Sequence, residues 1–239
     1  EKILGPGEQL PLDWPVSGTT GYEFITALSN LFIDNEKIGR LRDAYEAFEG
    51  KSIDMASRLR DAKLLMVDVN FAGEFDRLLK LALTVLNREN AALPSSENDL
   101  RAALRELLVS FPVYRTYGTA DGLPRESDDV LSHVIATIHS GHHAPDENAL
   151  SSLQHILRNA EGADAAEFRT RFQQLTGPLM AKSVEDTLFY RQNMALALNE
   201  VGAEPLQQTF SVEQFHAHMS ERLKHQPDAL SATSTHDTK

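Results

Sequence analysis

Two carboxylates near opposite ends of the 239 residues, Glu1 and Asp237, are the groups best placed by type to do chemistry. Breaking a glycosidic bond takes one carboxylic acid to protonate the leaving oxygen and a second carboxylate to attack or stabilise the positive ring carbon. The acid needs a pKa lifted by burial or by a neighbouring carboxylate. A fold that draws two distant carboxylates together supplies that neighbour. His236, adjacent to Asp237, could donate a hydrogen bond to a sugar hydroxyl while Asp237 accepts one. Taken singly, Glu1 and Asp237 read first as surface charges and His236 as structural.

Two further stretches are rich in groups that could hold a hydroxylated ligand. Phe111 to Tyr117 offers the ring faces of Tyr114 and Tyr117 for stacking and the directed donors of Arg115. Both tyrosines serve as well as core anchors. Arg171 to Arg191 is dense in polar and aromatic groups where a plain scaffold would show an amphipathic stripe. Within it Lys182, Glu185 and Asp186, with Tyr190 close behind, could line a cleft or form a buried charge network.

Other constellations are weaker. His142-His143 lies between two helical stretches without a third ligand at a definite spacing, and His216 and His218 are two apart, so they do not share a helix face. No metal or cofactor is expected. Gly18-Thr19-Thr20-Gly21 lacks the spacing and the Lys-Ser/Thr of a phosphate loop. Its small residues suit the close approach of another backbone. Ser17, Thr19 and Thr20 have no nucleophile context.

The elements that must position these groups read as helices. Phe24, Leu28, Leu31 and Phe32 form one stripe, and Leu41, Tyr45 and Phe48 another that ends at Gly50. Residues 52 to 90 form the longest helical stretch, with Met55, Leu59, Ala62, Met66 and Val69 inward. Gly73 marks either a bend or a shift of register in a straight helix, before Phe75, Leu78, Leu79, Ala82 and Leu86 resume the stripe. Further helices fit the run that Ser96 or Asn98 caps and that ends near Phe111, then Ser127 to Ser140, Asp146 to Asn159, Asp164 to Gln174, Met194 to Asn199, and Val212 to Leu223 behind a Ser211 cap. Three short segments read as extended: Val113 to Tyr117, Leu179 to Lys182, and Leu230 to Ser234. A long helical region therefore interrupts segments resembling strands with polar ends, as at the strand C-termini of a (β/α)8 barrel.

With 41% apolar residues, eleven Phe, five Tyr and Trp14, the chain can build one good core or two smaller ones. A net charge of -12 disfavours nucleic acid and anionic membrane as partners, since both need a positive footprint. The absence of Cys removes disulfides and thiolate chemistry. No apolar run of about eighteen residues occurs, and the N-terminus is not an export signal. A cytoplasmic location is the expectation. The abrupt start at Glu1 without Met and the stop at Lys239 lead us to expect an internal piece of a larger protein.

Several blocks in one order give a specific resemblance. They are Glu1 to Leu4, Trp14-Pro15-Val16-Ser17-Gly18-Thr19-Thr20-Gly21-Tyr22, Phe111-Pro112-Val113-Tyr114-Arg115-Thr116-Tyr117, Arg171 to Arg191, Ala197 to Gly202, and Thr233-Ser234-Thr235-His236-Asp237-Thr238-Lys239. Across nearly its whole length the chain resembles the maltooligosyl trehalose synthases, in the α-amylase-like glycoside hydrolase clan (family 13).

The resemblance implies a mainly α chain: residues 1–22 follow the fifth barrel strand, 23–170 are a helical insertion, and 171–239 return to the barrel. It implies an intramolecular transglycosylation that turns the reducing-end α-1,4 linkage of a maltooligosaccharide into an α,α-1,1 linkage. Glu1 would be the general acid/base, Asp237 the carboxylate that supports the transition state, and His236 its companion. The nucleophilic aspartate would lie upstream, so this piece needs the remainder of its parent and is expected to be inactive alone. Ser183 departs from the family, which usually has Gly there. A non-catalytic glucan-binding or structural helical module is the alternative.

Overall fold

The computed structural model describes residues 3–5, 8–11, 13–34, 36–89, 96–203 and 211–238. Among them the regular structure is helical: α1 (Tyr22–Leu31), α2 (Ile38–Glu49), α3 (Met55–Leu65), α4 (Ala72–Arg88), α5 (Glu97–Ser110), α6 (Arg125–Ser140), α7 (Glu147–Arg158), α8 (Ala163–Met180), the single turn α9 (Phe189–Arg191) and α10 (Val212–His225). Two π-helical stretches, Met66–Asn70 and Ala181–Leu188, follow α3 and α8, and a 3-10 turn spans Leu196–Leu198. No described helix is long and apolar enough to cross a membrane.

The chain divides into two compact units, Arg60–Ser183 and the pair of segments Glu1–Leu59 with Val184–Lys239. The first owns the large core. Phe75, Leu78, Leu79, Ala82 and Leu86 of α4 are buried, as their 3–4 spacing predicts, and so are Leu100, Leu104, Leu107 and Leu108 of α5 and Leu150, Leu153, Ile156 and Leu157 of α7. Phe168 and Phe172 of α8 stack with ring centres 6.1 Å apart, and Phe111 meets Phe172 edge-on at 5.2 Å. Ser96 caps α5 by accepting from the Asp99 amide. At the other end, before Pro112, the buried Lys63 ammonium donates to the Phe111 carbonyl at 2.6 Å.

Two expected strands, Leu179 to Lys182 and Leu230 to Ser234, are corrected, and the expected extended segment at Val113 has no strand partner among the described residues. Leu179 to Lys182 is helical: α8 runs through Pro178 to Met180, and the wider π turn takes over at Ala181. Pro removes a donor to the carbonyl four residues back, yet Leu175 and Leu179 stay buried at helical spacing. The next buried aliphatics, Val184 and Leu188, come five and then four residues later. That longer interval suits a π turn. Val113 to Tyr117 forms no ladder; the one bridge nearby joins Thr119 to Gly122. Leu230 to Ser234 also forms no strand, although the Leu230 amide donates to the Thr19 carbonyl at 3.2 Å.

Other expectations shift in detail. The α-helix is interrupted before Gly73, by a π turn that ends where the Phe71 amide bonds the Met66 carbonyl, five residues back. The extra residue per turn rotates Val69 out to solvent. In α2 Gly50 caps at φ 69° as expected, but Leu41 and Phe48 are exposed, Phe48 at 86%. Phe32 is exposed too; α1 buries Tyr22, Ile25 and Ala27 instead. These exposed groups meet no core among the described residues.

Candidate functional site

Asp237 is positioned by a close backbone approach that begins at Gly18 and Gly21. A Cβ on Gly18 would sit 2.5 Å from Ala229 Cβ, and one on Gly21 would sit 2.3 Å from the Leu230 carbonyl oxygen. Gly21 also has φ 89°, a left-handed conformation that glycine adopts without strain. The small residues of this loop admit another backbone, as the sequence suggests, and that backbone leads into the turn bearing Asp237.

Threonines lock the turn. Thr235 Oγ1 accepts from the Asp237 amide at 3.3 Å, the Thr235 amide donates to Thr238 Oγ1 at 3.0 Å, and Thr238 Oγ1 donates to the Thr235 carbonyl at 2.8 Å. Tyr22, only 1% exposed, donates its hydroxyl to Asp237 Oδ2 at 3.1 Å. His236 Nε2 stands 3.1 Å from the same oxygen, with both side chains well exposed. A carboxylate that is oriented by a buried hydroxyl and still half open to solvent, at 49%, can accept from a ligand hydroxyl.

Glu1 lies outside the described residues, so its separation from Asp237 is not described. Glu185 is buried, and its Oε1 accepts from the Gly202 amide at 3.2 Å, a fixed structural contact. Lys182, Asp186 and Tyr190 are exposed on the π turn and the following helix. Tyr114 and Tyr117 are half-buried and Arg115 is exposed, its guanidinium 5.5 Å from the centre of the Tyr117 ring.

Residues 114–120 are held from α8 by side chains spaced three and four apart. Thr176 donates to the Tyr114 carbonyl at 2.9 Å, the Gln173 amide exchanges two bonds with the Gly118 backbone, and Arg169 donates to the carbonyls of Thr119 and Ala120. Ser127 Oγ accepts from the Tyr117 amide at 3.0 Å. These bonds take the place of a strand partner. Arg169 is itself buried, and burial pushes its pKa down while Asp121 partly offsets the shift.

The unit made of residues 1–59 and 184–239 also contains a cavity of about 960 Å³. Trp14, Glu23, Thr26, Gln192, Asn199 and Arg222 are among its lining groups, and none of the predicted site residues that are described is. Glu23, Thr26, Gln192 and Gln226 line it, and each has a buried polar atom without a partner among the described residues. Among the described residues no group of three or more His, Asp or Glu is placed to hold a metal ion.

The sequence reading missed Tyr22 as the partner of Asp237, and missed Glu23, Arg169 and Arg222. Tyr22 follows directly on the glycine loop, so its position was a usable signal. Arg169 and Arg222 carried none, because an isolated Arg on a helix reads as a solvated charge.

No family model matches the chain. The chain is 30% identical over 239 residues to putative maltooligosyl trehalose synthases of two Mycobacterium tuberculosis strains, covering 100% of this chain and 29% of each relative. Among solved structures, maltooligosyltrehalose synthase from Arthrobacter ramosus is 27% identical with a TM-score of 0.79, covering 100% of this chain and 29% of that one. A hypothetical maltooligosyl trehalose synthase of Sulfolobus tokodaii is 26% identical with a TM-score of 0.71, over 100% of this chain and 28% of that one. The chain thus spans about 29% of the length of the curated relatives it matches. Its likeness to maltooligosyl trehalose synthases, expected from the motif blocks, extends over its full length.

Proposed function

We propose that the chain is part of an enzyme that isomerises the reducing-end α-1,4 linkage of a maltooligosaccharide to α,α-1,1 by a retaining double displacement. In this reading Glu1 protonates the leaving oxygen and then acts as base, and a carboxylate elsewhere in the parent attacks the anomeric carbon. Asp237 accepts from ring hydroxyls more strongly as positive charge grows on the ring. Its flanks belong to a (β/α)8 barrel, and the helical region between them restricts water so that the released glucose is reoriented before hydrolysis.

The arrangement of Asp237 is the observation that supports this best. Its carboxylate is fixed by the Tyr22 hydroxyl in a turn locked by Thr235 and Thr238, yet stays half exposed. In the full-length enzyme, Asp237→Asn should cut formation of non-reducing product from maltopentaose by two to three orders of magnitude, about the loss from deleting one transition-state contact. Retention of activity within about threefold would remove Asp237 from the chemistry.

A non-catalytic glucan-binding reading draws support from the cavity. Its volume is of ligand size, it combines the Trp14 ring with amides and carboxylates, and four lining residues have polar atoms without a partner among the described residues. Trp14 is the single tryptophan, so its fluorescence reports on this cavity alone. Titration of the chain with maltopentaose should change it saturably if the cavity takes the sugar, and a flat titration would rule that occupant out.

A further inference from the structure

The segment bearing Asp237 is anchored near its start by Arg222 of α10. Arg222 Nε donates to Glu23 Oε1 of α1 at 3.1 Å, Nη1 donates to Ser231 Oγ at 2.7 Å, and Nη2 donates to the Leu230 carbonyl. Its guanidinium carbon also lies 5.5 Å from the centre of the Phe24 ring. The side chains of Arg222 and Glu23 are 10% and 9% exposed. Thr19 donates to the same Glu23 oxygen at 2.5 Å. An ion pair this deep is held by its added hydrogen bonds, and a lone charge left in its place would be costly.

Tyr22 and Glu23 are neighbours on α1, and each holds one end of the same segment. Tyr22 holds Asp237 directly; Glu23 holds Leu230 and Ser231 through the Arg222 fork. The Gly21 backbone leaves no slack at the near end, because the Leu230 carbonyl passes where a Cβ would lie. A planar guanidinium with donors in fixed directions suits three acceptors at once, whereas a lysine ammonium on its flexible stem does not reproduce that fork.

We propose that Arg222 is a positioning residue for Asp237, setting through Leu230 and Ser231 where that carboxylate stands against the reacting sugar ring. The proposal rests on the reading of Asp237 given above. Arg222 touches no reacting atom in this scheme. It acts by fixing the distance between α1 and the turn, and a misplacement of about 1 Å can cost about 100-fold in rate.

The test uses the full-length enzyme that the reading requires, with Arg222→Lys, Ser231→Ala and Asp237→Asn made singly, and Arg222→Lys combined with Asp237→Asn. Initial rates on maltopentaose separate kcat from KM. Arg222→Lys should lower kcat about tenfold to 100-fold with KM changed less than about threefold. Ser231→Ala should lower kcat a few-fold in the same sense, and Arg222→Lys should add no further loss to Asp237→Asn. An unchanged kcat for Arg222→Lys, or an equal loss in the Asp237→Asn background, overturns the proposal while leaving the role of Asp237 intact. If Arg222→Lys does not fold, as judged by circular dichroism, Ser231→Ala decides: a wild-type kcat there overturns the proposal. An Asp237→Asn enzyme with wild-type kcat sinks the reading of Asp237 and this proposal together.

Discussion

Arg169→Met is the most demanding test of how the larger unit holds together. The guanidinium donates to four carbonyls: Ile156 at 2.7 Å and Ala160 at 2.9 Å in buried surroundings, Thr119 at 2.9 Å, and Ala120. The Ile156 carbonyl is one of the last four of α7, so Arg169 caps that helix as well as the 119–120 loop. Methionine fills much of the volume and donates nothing. Two buried carbonyls left without partners cost about 1–2 kcal/mol each, and two that can reach water about 0.5 each. Relief from burying a cation offsets part of this, leaving about 3 kcal/mol. For a chain of this length that corresponds to a fall in Tm of about 6–12 °C. Urea unfolding followed by far-UV circular dichroism measures it. Should the two units unfold separately, the loss belongs to the transition of residues 60–183. A loss below about 1 kcal/mol would show that water or rearranged backbone satisfies those carbonyls, and the capping argument would fail.

Two more perturbations probe other parts of the structure. Asp68 of the first π turn is paired with Arg105 of α5, and the Arg105 hydrogen bond holds its pKa below the usual carboxylate range. With its folded-state pKa depressed, the pair stabilises the fold above the unfolded value and loses that effect as pH falls through the folded value. Asp68→Asn should therefore cost at most about 0.5 kcal/mol at pH 7, the pair being partly exposed, and the difference from wild type should shrink below about pH 4; a gap that widens in acid contradicts the sign. Gly21→Ala should separate the 229–231 segment from Thr19, at about 2–3 kcal/mol locally, because the new Cβ meets the Leu230 backbone and the positive φ is strained. Hydrogen exchange at the Leu230 amide reads this directly, and unchanged protection there would refute it.

The helices of the larger unit were legible because each buries one face in one core. Leu100, Leu104, Leu107 and Leu108 repeat at helical spacing and are buried at that spacing. The caps at Ser96 and Ser211 were legible for a local reason, since hydroxyl and first-turn amides lie within four residues; Ser211 and Gln214 complete the reciprocal box. Inward faces failed where burial depends on what lies beyond the helix itself. The stripe of α2 has the right period, yet Leu41 and Phe48 face solvent. Periodicity names the apolar face of a helix and says nothing of whether a partner covers it.

What meets the backbone of an extended segment was hidden for a related reason. Val113 to Tyr117 has β-prone residues between Pro112 and Gly118, but its backbone is satisfied by Thr176, Gln173 and Ser127 side chains. Propensity reports how a residue suits a pleated surface and cannot name the donor that meets its carbonyl. The same gap separates what was readable at Asp237 from what was not. The close approach at Gly18 and Gly21 follows from the lack of a Cβ, a property of the residues themselves. That Tyr22 meets Asp237, and that Arg222 sets the spacing, depends on pairings across most of the chain. Residue type therefore nominates the chemistry at this site, and the tertiary hydrogen bonds from α1 and α10 decide where Asp237 stands.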